Sequence, residues 1–551
     1  MKRLFVLVLC LCVLFVAGFP GYRSYYIWKQ KHLIAMASEF IAKSDSANAM
    51  LCLRQALQSN PNNLEACRMM ADFSESARSP QALLWRSRVV DLEPDSFSNR
   101  LALARTAVAL GDAAIAQKAL EGVNEQDRNT AVYQNLAAAA DVAAGRLSEA
   151  EAHFSEAARL EPDDPVCQLN LATLRLQKTD GQVAAEARAV LQGLCTNPAV
   201  RCEALRQLTQ DALHGTNLEA ALAFSQDLLA DTNSVFTDRM LHFDLLSQST
   251  NAGSAAFLAQ LQQESANNSA KAYEVAKRML AGAQAGPARA WLESLPRATR
   301  TNLPVPIVEA DCYIAMKDWS GLETNLAGQN WLELDCLRLA CRARGFKEQG
   351  SATSAKTEWM AALKAAGTRR DLLAQLVNTT TAWKWAQEQE DVLWVIANRY
   401  PTEKTVIQAL AERLFAAGET RSLQTLYSLA LQNDAGNLAF MNNLATTALL
   451  LGSWEKKPHE LAREAYARGS ANASFASTYA FSLLVQQKPA EALKTIEQLT
   501  PQQLETPSIA AYYGLILKAA GDTAKARKYL ELASKAKLLP EEQKLVAQAR
   551  Q

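Results

Sequence analysis

The segment GSATSAKT, residues 350–357, comes nearest to a site that could do chemistry, because it almost matches a phosphate-binding P-loop. Ala355 stands where that loop has its second glycine. A P-loop also follows a strand and turns its N–H groups towards phosphate, and no strand-like alternation precedes this segment. Instead, Ala355, Trp359 and Ala362 are spaced as on one face of a helix. We therefore predict that Lys356 lies inside a helix and binds no nucleotide.

The histidines and cysteines show no spacing typical of a metal or catalytic centre. The five histidines have no serine or cysteine partner that the sequence reveals: His32, His153, His214, His242 and His459. The ten cysteines include no C-x-x-C pair, and we interpret most as small buried residues. Cys195 and Cys202 are close enough in sequence to pair in an oxidising compartment. The sequence thus predicts no metal site, no cofactor and no enzymatic activity.

The charge balance argues against nucleic acid as a partner, and the composition indicates which residues build the core. Lys plus Arg and Asp plus Glu both number 57, so the formal charge is zero and no basic stripe favours nucleic acid. Hydrophobic residues make up 49% of the chain but aromatic residues only 7%, so the core is built largely from Ala and Leu. Such a core is typical of closely stacked helices.

A short pattern of small and large residues repeats along the chain. In LSEAEAHFSEAARLEPDDP, residues 147–165, the pattern occupies Ala150, Phe154, Ala157 and Pro162. The same spacing recurs at Ala49, Leu53, Ala56 and Pro61. The prolines at 61, 94 and 162 are consistent with a period of about 34 residues. The chain is therefore a repeat array rather than a set of globular domains.

Each unit also has a first half, in which large, small and large residues precede a glycine turn, as at Tyr513, Gly514, Leu517 and Gly521. Together the two halves resemble the tetratricopeptide repeat (TPR), a helical hairpin. This resemblance implies an all-α, right-handed α-solenoid of about 15 hairpins, preceded by one hydrophobic N-terminal helix. The segments that we predict are an N-terminal anchor or signal (1–32), a first TPR array (33–232), degenerate repeats (233–331), a second TPR array (332–540) and a polar capping helix (541–551).

The N-terminus predicts contact with a membrane. Residues 4–19 are apolar after Lys2 and Arg3, and an extension to residue 22 gives about 28 Å of helix, close to the thickness of the hydrocarbon layer. Aromatic residues follow, as at a membrane interface. We expect residues 4–22 to form an uncleaved single-pass anchor with the repeats on the periplasmic or extracytoplasmic side. The alternatives are secretion after signal cleavage and a cytoplasm-facing array.

Four residues are candidates for partner binding. Asn135, Asn170 and Asn443 each precede a Leu-Ala pair, the first-helix position from which TPR proteins often point an amide into the concave groove. The alternative is that asparagine is simply a common residue of the repeat consensus at this position and has no role in binding. Trp383 lies two residues from Trp385, about 200° around a continuous helix, so both rings cannot face one interior. An exposed Trp383 would be a binding anchor, and the alternative is packing within the fold.

These features favour a non-catalytic, membrane-tethered scaffold at a bacterial envelope. Its partners would be other proteins, held as peptides or helices in the concave groove, with no nucleic acid. The alternative is a polysaccharide-export accessory, in which the tryptophan-rich second half binds glycan.

Overall fold

A computed structural model describes residues 25, 27–43, 45–76, 79–249 and 253–551. All regular structure in these ranges is helical, and the helices form two compact units, one ending at Gln263 and the other beginning at Glu264. The boundary lies within the helix Gly253–Ser265. The all-α prediction is therefore confirmed, whereas the predicted segment boundaries stay a prediction.

The helices up to the boundary are α1 (27–42), α2 (Ser46–Ser59), α3 (Leu64–Ser76), α4 (Gln81–Leu92), α5 (Phe97–Ala109), α6 (Ala113–Glu121), α7 (Glu125–Arg128), α8 (Ala131–Ala143), α9 (Leu147–Leu160), α10 (Pro165–Arg175), α11 (Gly181–Leu194), α12 (Arg201–His214), α13 (Leu218–Leu229), α14 (Phe236–Gln248) and α15 (Gly253–Ser265). The first-half helices α3, α5, α8 and α10 begin at residues 64, 97, 131 and 165, which reproduces the predicted period.

The helices of the C-terminal unit are α16 (Ser269–Ala281), α17 (Ala285–Ser294), α18 (Arg297–Arg300), α19 (Val305–Met316), α20 (Trp319–Leu326), α21 (Asp335–Glu348), α22 (Ala352–Ala366), α23 (Arg370–Trp383), α24 (Ala386–Arg399), α25 (Lys404–Ala417), α26 (Thr420–Asn433), α27 (Leu438–Leu451), α28 (Pro458–Arg468), α29 (Ala473–Val485), α30 (Pro489–Ile496), α31 (Pro501–Leu504), α32 (Pro507–Ala519), α33 (Thr523–Ser534) and α34 (Pro540–Arg550). Short 3₁₀ turns lie at Leu332–Leu334 and Trp454–Lys456. Lys356 lies within α22, as predicted.

Successive helices pair as hairpins, and the repeated small residues lie where the two helices of a pair meet. In the hairpin of α8 and α9, Ala150 and Ala157 are fully buried and Phe154 is almost so. Phe154 and Ala150 belong to one apolar cluster with Ala138 of α8. Small side chains let the two backbones approach, and the phenylalanine fills the remaining space. In the part of the chain that the structure describes, the element order gives fifteen such pairs, α7, α18 and α31 being single-turn connections and α34 following the last pair.

Local residue chemistry explains where the helices begin and end. Asp164 caps α10 by accepting a hydrogen bond from the Val166 N–H at 2.9 Å, and Pro165 occupies the first turn, where no N–H partner is needed. The turn before α33 uses Gly521 at a φ of +93°, a conformation that favours glycine. TPR-like hairpins are thus confirmed, while the right-handed sense of the array stays a prediction.

The predicted membrane location must be corrected. No helix among the described residues combines the length and the apolar content that a bilayer crossing requires. A span needs about 20 apolar residues, whereas the repeat helices are shorter and have polar faces. The single-pass location, with its assignment of a side to the repeats, is therefore wrong. The predicted span itself, residues 4–22, lies outside the described residues.

Candidate partner-binding surfaces

Asn135 and Asn170 are brought together on neighbouring first helices, α8 and α10. The Asn170 Nδ2 donates to the Asn135 Oδ1 at 3.1 Å, and the Asn135 Nδ2 donates to the Cys167 Sγ at 3.0 Å. Both side chains are half-buried. The two amides therefore hold α8 against α10, and each keeps hydrogen-bonding capacity beyond these contacts.

Exposed valines lie on the same helical faces as this amide pair. Val132 and Val142 stand three residues before and seven residues after Asn135 in α8, and Val166 stands four residues before Asn170 in α10. Their exposed fractions are 51%, 41% and 45%. These five residues form the α8–α10 face, which combines apolar side chains with amide donors and acceptors.

Asn443 lies in α27 of the C-terminal unit. It is half-buried, and its Oδ1 accepts a weak hydrogen bond from the Nδ2 of the buried neighbour Asn442 at 3.3 Å. The Asn442 Oδ1 is buried without a hydrogen-bond partner among the described residues. The Asn443 amide is also hydrogen-bonded to the Tyr427 side chain. Its role in partner binding stays a prediction.

Trp383 is half-buried and packs with other side chains. Its ring meets that of Trp385 edge to face at a centroid distance of 5.1 Å, and the Arg344 guanidinium lies over the Trp383 ring, 4.8 Å from its centroid. Both indoles reach the interior because the helix ends between them. Lys384 has a φ of +58°, so the helical angle expected between residues 383 and 385 does not apply. The packing gives Trp383 a structural role, and a role in binding stays a prediction.

In the C-terminal unit, a surface formed by several helices is covered by the last segment of the described chain, α34 and the residues just before it. Residues 538–550 contact α27, α29, α32 and α33 and the turn after α25, and we call the surface formed there by Gly418, Leu449, Phe481 and Tyr512 the α34 groove. The sequence interpretation of this segment as a polar cap over the last hairpin missed these contacts. The signal that could have revealed them is the pair of apolar doublets, 538–539 and 545–546, that flank the acidic residues in LLPEEQKLV.

Two histidines have serine partners that the sequence did not reveal. The His242 Nδ1 lies 2.8 Å from the Ser225 Oγ, and the His459 Nδ1 lies 2.8 Å from the Ser482 Oγ. Burial lowers the pKa of both histidines. His242 and Ser225 are 4% and 0% exposed, so no substrate can reach that pair. Each pair joins neighbouring helices, which is a structural use of the imidazole.

The described residues offer one group with donor atoms close enough for a metal ion. Ligand atoms of Glu161, Asp164 and Cys167 lie within 4.8 Å of one another. However, the Cys167 Sγ donates to the Asp164 Oδ2 at 3.3 Å, and burial raises the pKa of this thiol, so the protonated form is favoured over the thiolate that metals bind. The eight described cysteines are free thiols, including Cys195 and Cys202.

Comparison with known proteins gives a partial family match. A TPR family model described as the Sec16 Sec23-binding domain matches residues 347–549, which is less than half of the chain. The chain matches none of the curated protein sequences. The repeats of the matched segment are thus TPR-like.

Similar solved structures include PilF of Pseudomonas aeruginosa, with 13% identity over 40% of this chain and 99% of that chain at a TM-score of 0.29. The Cut9–Hcn1 hetero-tetramer of the APC/C matches with 11% identity over 92% of this chain and 96% of that chain at 0.26. Naa15/Naa10 bound to HypK matches with 13% identity over 95% and 78% at 0.28. Superpositions with such low TM-scores support no inference about this chain.

Proposed function

We propose that this protein is a non-catalytic scaffold that binds partner proteins, as peptides or helices, on the first-helix faces of its hairpins. The observation that carries the proposal is the α8–α10 face. Its valines can bury apolar side chains of a ligand, and its amides can bond to a peptide backbone, which needs both donors and acceptors. The family model that matches residues 347–549 is named for binding a protein, Sec23, and this supports protein binding as the class of function.

The proposal extends to Asn443 as a second contact, in the C-terminal unit, and leaves glycan binding as the less favoured alternative. Glycan recognition by stacking needs exposed aromatic rings. Among the tryptophans of the second half, Trp331, Trp359 and Trp385 are at most 8% exposed, whereas Trp454 is 53% exposed. Burial of the first three leaves fewer rings for stacking on a sugar and makes a glycan the less favoured partner.

Panning a displayed library of short random peptides against the full chain tests this proposal. We expect enriched peptides whose affinity falls by about tenfold or more with Val166→Asp, because the ligand must then desolvate a carboxylate. Val190→Asp is the matched control, since Val190 is 43% exposed but lies on the second helix α11. The proposal would be contradicted if the peptides bound the Val166→Asp chain with unchanged affinity, or if the only ligands found were glycans on an array.

A further inference from the structure

The C-terminal helix α34 lies in the α34 groove as a ligand helix would. Leu539 is 4% exposed and joins the apolar cluster of α24, α25 and α26, and Val546 is 3% exposed and joins that of α32 and α33. Between them, Leu545 packs with Leu449, Phe481 and Tyr512. The apolar side of α34 therefore reaches several successive hairpins, which is more than a cap on the last hairpin would do.

Polar contacts fix the position of α34 at both ends. Near its start, the Glu541 carboxylate accepts a hydrogen bond from the Thr420 hydroxyl, and Pro540 lies against Gly418. The buried Glu542 carboxylate accepts bonds from the Tyr512 hydroxyl and, at 2.9 Å, from the Leu539 N–H. At its end, the Lys518 Nζ donates to the Ala549 carbonyl at 2.6 Å. These contacts recognise a helix that begins with acidic residues.

α34 does not fill the groove. A cleft of about 510 Å³ lies beside it. One side is formed by Glu541, Lys544 and Gln548 of α34 itself, and the other by apolar residues of the first helices, among them the half-buried Leu450, Leu484, Val485 and Leu515. An incompletely filled apolar surface gives up packing energy that a better-fitting occupant would recover. The link from α33 to α34 is short and includes the exposed Lys535 and Lys537. A linker of this kind holds α34 at a high effective concentration near the groove.

We propose that the α34 groove is a binding site for amphipathic helices of partner proteins, and that α34 is its intramolecular competitor. This inference rests on the proposed function, because it treats a first-helix face as a binding surface. It goes further by specifying the partner's chemistry. The partner helix carries an apolar pair just before its start, acidic residues in its first turn and a second apolar pair one turn later, as 538–546 do.

The test uses a fluorescent peptide of residues 537–551 and the full-length chain. In the Val546→Asp chain, a buried carboxylate weakens the hold of α34, and we expect this chain to bind the peptide at least about tenfold more tightly than the wild type does. Ala547→Asp is the matched control, because Ala547 is the exposed neighbour on the same helix. A peptide with Glu542→Lys is expected to bind at least about tenfold more weakly, since the Tyr512 hydroxyl loses its acceptor.

A chain ending at Lys537 provides a second variant if Val546→Asp does not release the helix. Circular dichroism of both variants must show a loss of helix no larger than α34 itself. A larger loss would mean that α34 is part of the core, and folded variants without peptide binding would mean that the groove accepts no helix in trans. Dimers formed by Val546→Asp in light scattering would point to exchange of α34 between copies. Each of these results overturns the inference. Library peptides that bind the α8–α10 face would still support the proposed function.

Discussion

At the scale of single residues, the buried pairs decide how stability responds to solution conditions. His242 is enclosed by Ser225 and by the edge-to-face ring of Phe257, 5.1 Å away. Burial lowers its pKa in the folded state below the ordinary value of about 6.5. The unfolded chain therefore binds a proton at a higher pH than the folded chain does. The contribution of the neutral His242 to the free energy of unfolding is fully present above about pH 6.5. It is lost as the pH falls from there towards the lowered pKa of the folded state.

We predict that the free energy of unfolding in urea falls as the pH is lowered from about 6.5 to about 5.5, and that His242→Gln removes most of this loss for the N-terminal unit. The slope is at most about 1.4 kcal/mol per pH unit for one proton. His214→Gln is the control, because His214 is exposed and should leave the slope in place. His459, in the C-terminal unit, leaves a residual slope. Equal slopes in the wild type and His242→Gln would refute the prediction.

The buried Asp238 carboxylate and its partner Arg206 lead to a second prediction at the scale of residues. Asp238 is 4% exposed and receives two hydrogen bonds from Arg206, at 2.8 and 2.9 Å, and a third from the Val235 N–H. Burial opposes ionisation, but these bonds outweigh it and lower the pKa of Asp238. Arg206→Ala leaves the charge buried and should cost about 2–3 kcal/mol of unfolding free energy, less than for a fully buried pair because Arg206 is partly exposed. Arg159→Ala, which breaks a solvent-exposed pair with Glu156, should leave the free energy of unfolding nearly unchanged.

At the scale of helices, the spacing between paired helices depends on which small residue stands at the contact. Gly514 of α32 faces α33 so closely that an added Cβ would lie 2.8 Å from the Leu530 Cγ and 3.1 Å from the Leu530 backbone N. Gly345 of α21 has room, because its Cβ would lie 3.6 Å from the Leu322 Cδ2. Both glycines are buried within helices of the C-terminal unit, and only their surroundings differ.

We predict opposite effects for the same substitution at these two sites. Gly514→Ala should destabilise the C-terminal unit by about 1–3 kcal/mol, because the backbone of α33 must move. Gly345→Ala should stabilise it by up to about 1 kcal/mol, since alanine has the higher helix propensity and meets only ordinary contacts. Thermal or urea unfolding of the two variants beside the wild type measures both effects. A neutral or stabilising effect of Gly514→Ala would show that the close approach at Gly514 has no energetic consequence, and destabilisation by Gly345→Ala would contradict the expected gain in helix propensity.

At the scale of the molecule, each hairpin of a repeat array is stabilised mainly by contacts with the hairpins next to it. The core supports this view, because the buried residues divide into several separate apolar clusters rather than one. We predict that Gly514→Ala raises amide hydrogen exchange in α29–α34 while leaving that of α2–α6 unchanged. Mass spectrometry of peptic fragments measures this. A uniform rise along the chain would instead indicate one cooperative folding unit.

The sequence by itself determined the helical class, the period of about 34 residues and the contact faces within each hairpin. These features are local, because Ala150, Phe154 and Ala157 lie within two turns of one helix and their spacing alone puts them on one side. The sequence also predicted the turn before α33, because Gly521 can adopt the positive φ that the turn requires.

Only the tertiary structure decided the serine partners of His242 and His459, the packing of Trp383 and the placement of α34. Each depends on residues from different helices, and Thr420 and Glu541, for example, are 121 residues apart. The polar residues of 541–551 looked like a cap because a helix's apolar side cannot be assigned to a particular surface from its own residues. The choice among several exposed apolar faces is a matter of shape and of which hydrogen-bond partners lie opposite, and these arise only once the hairpins have stacked.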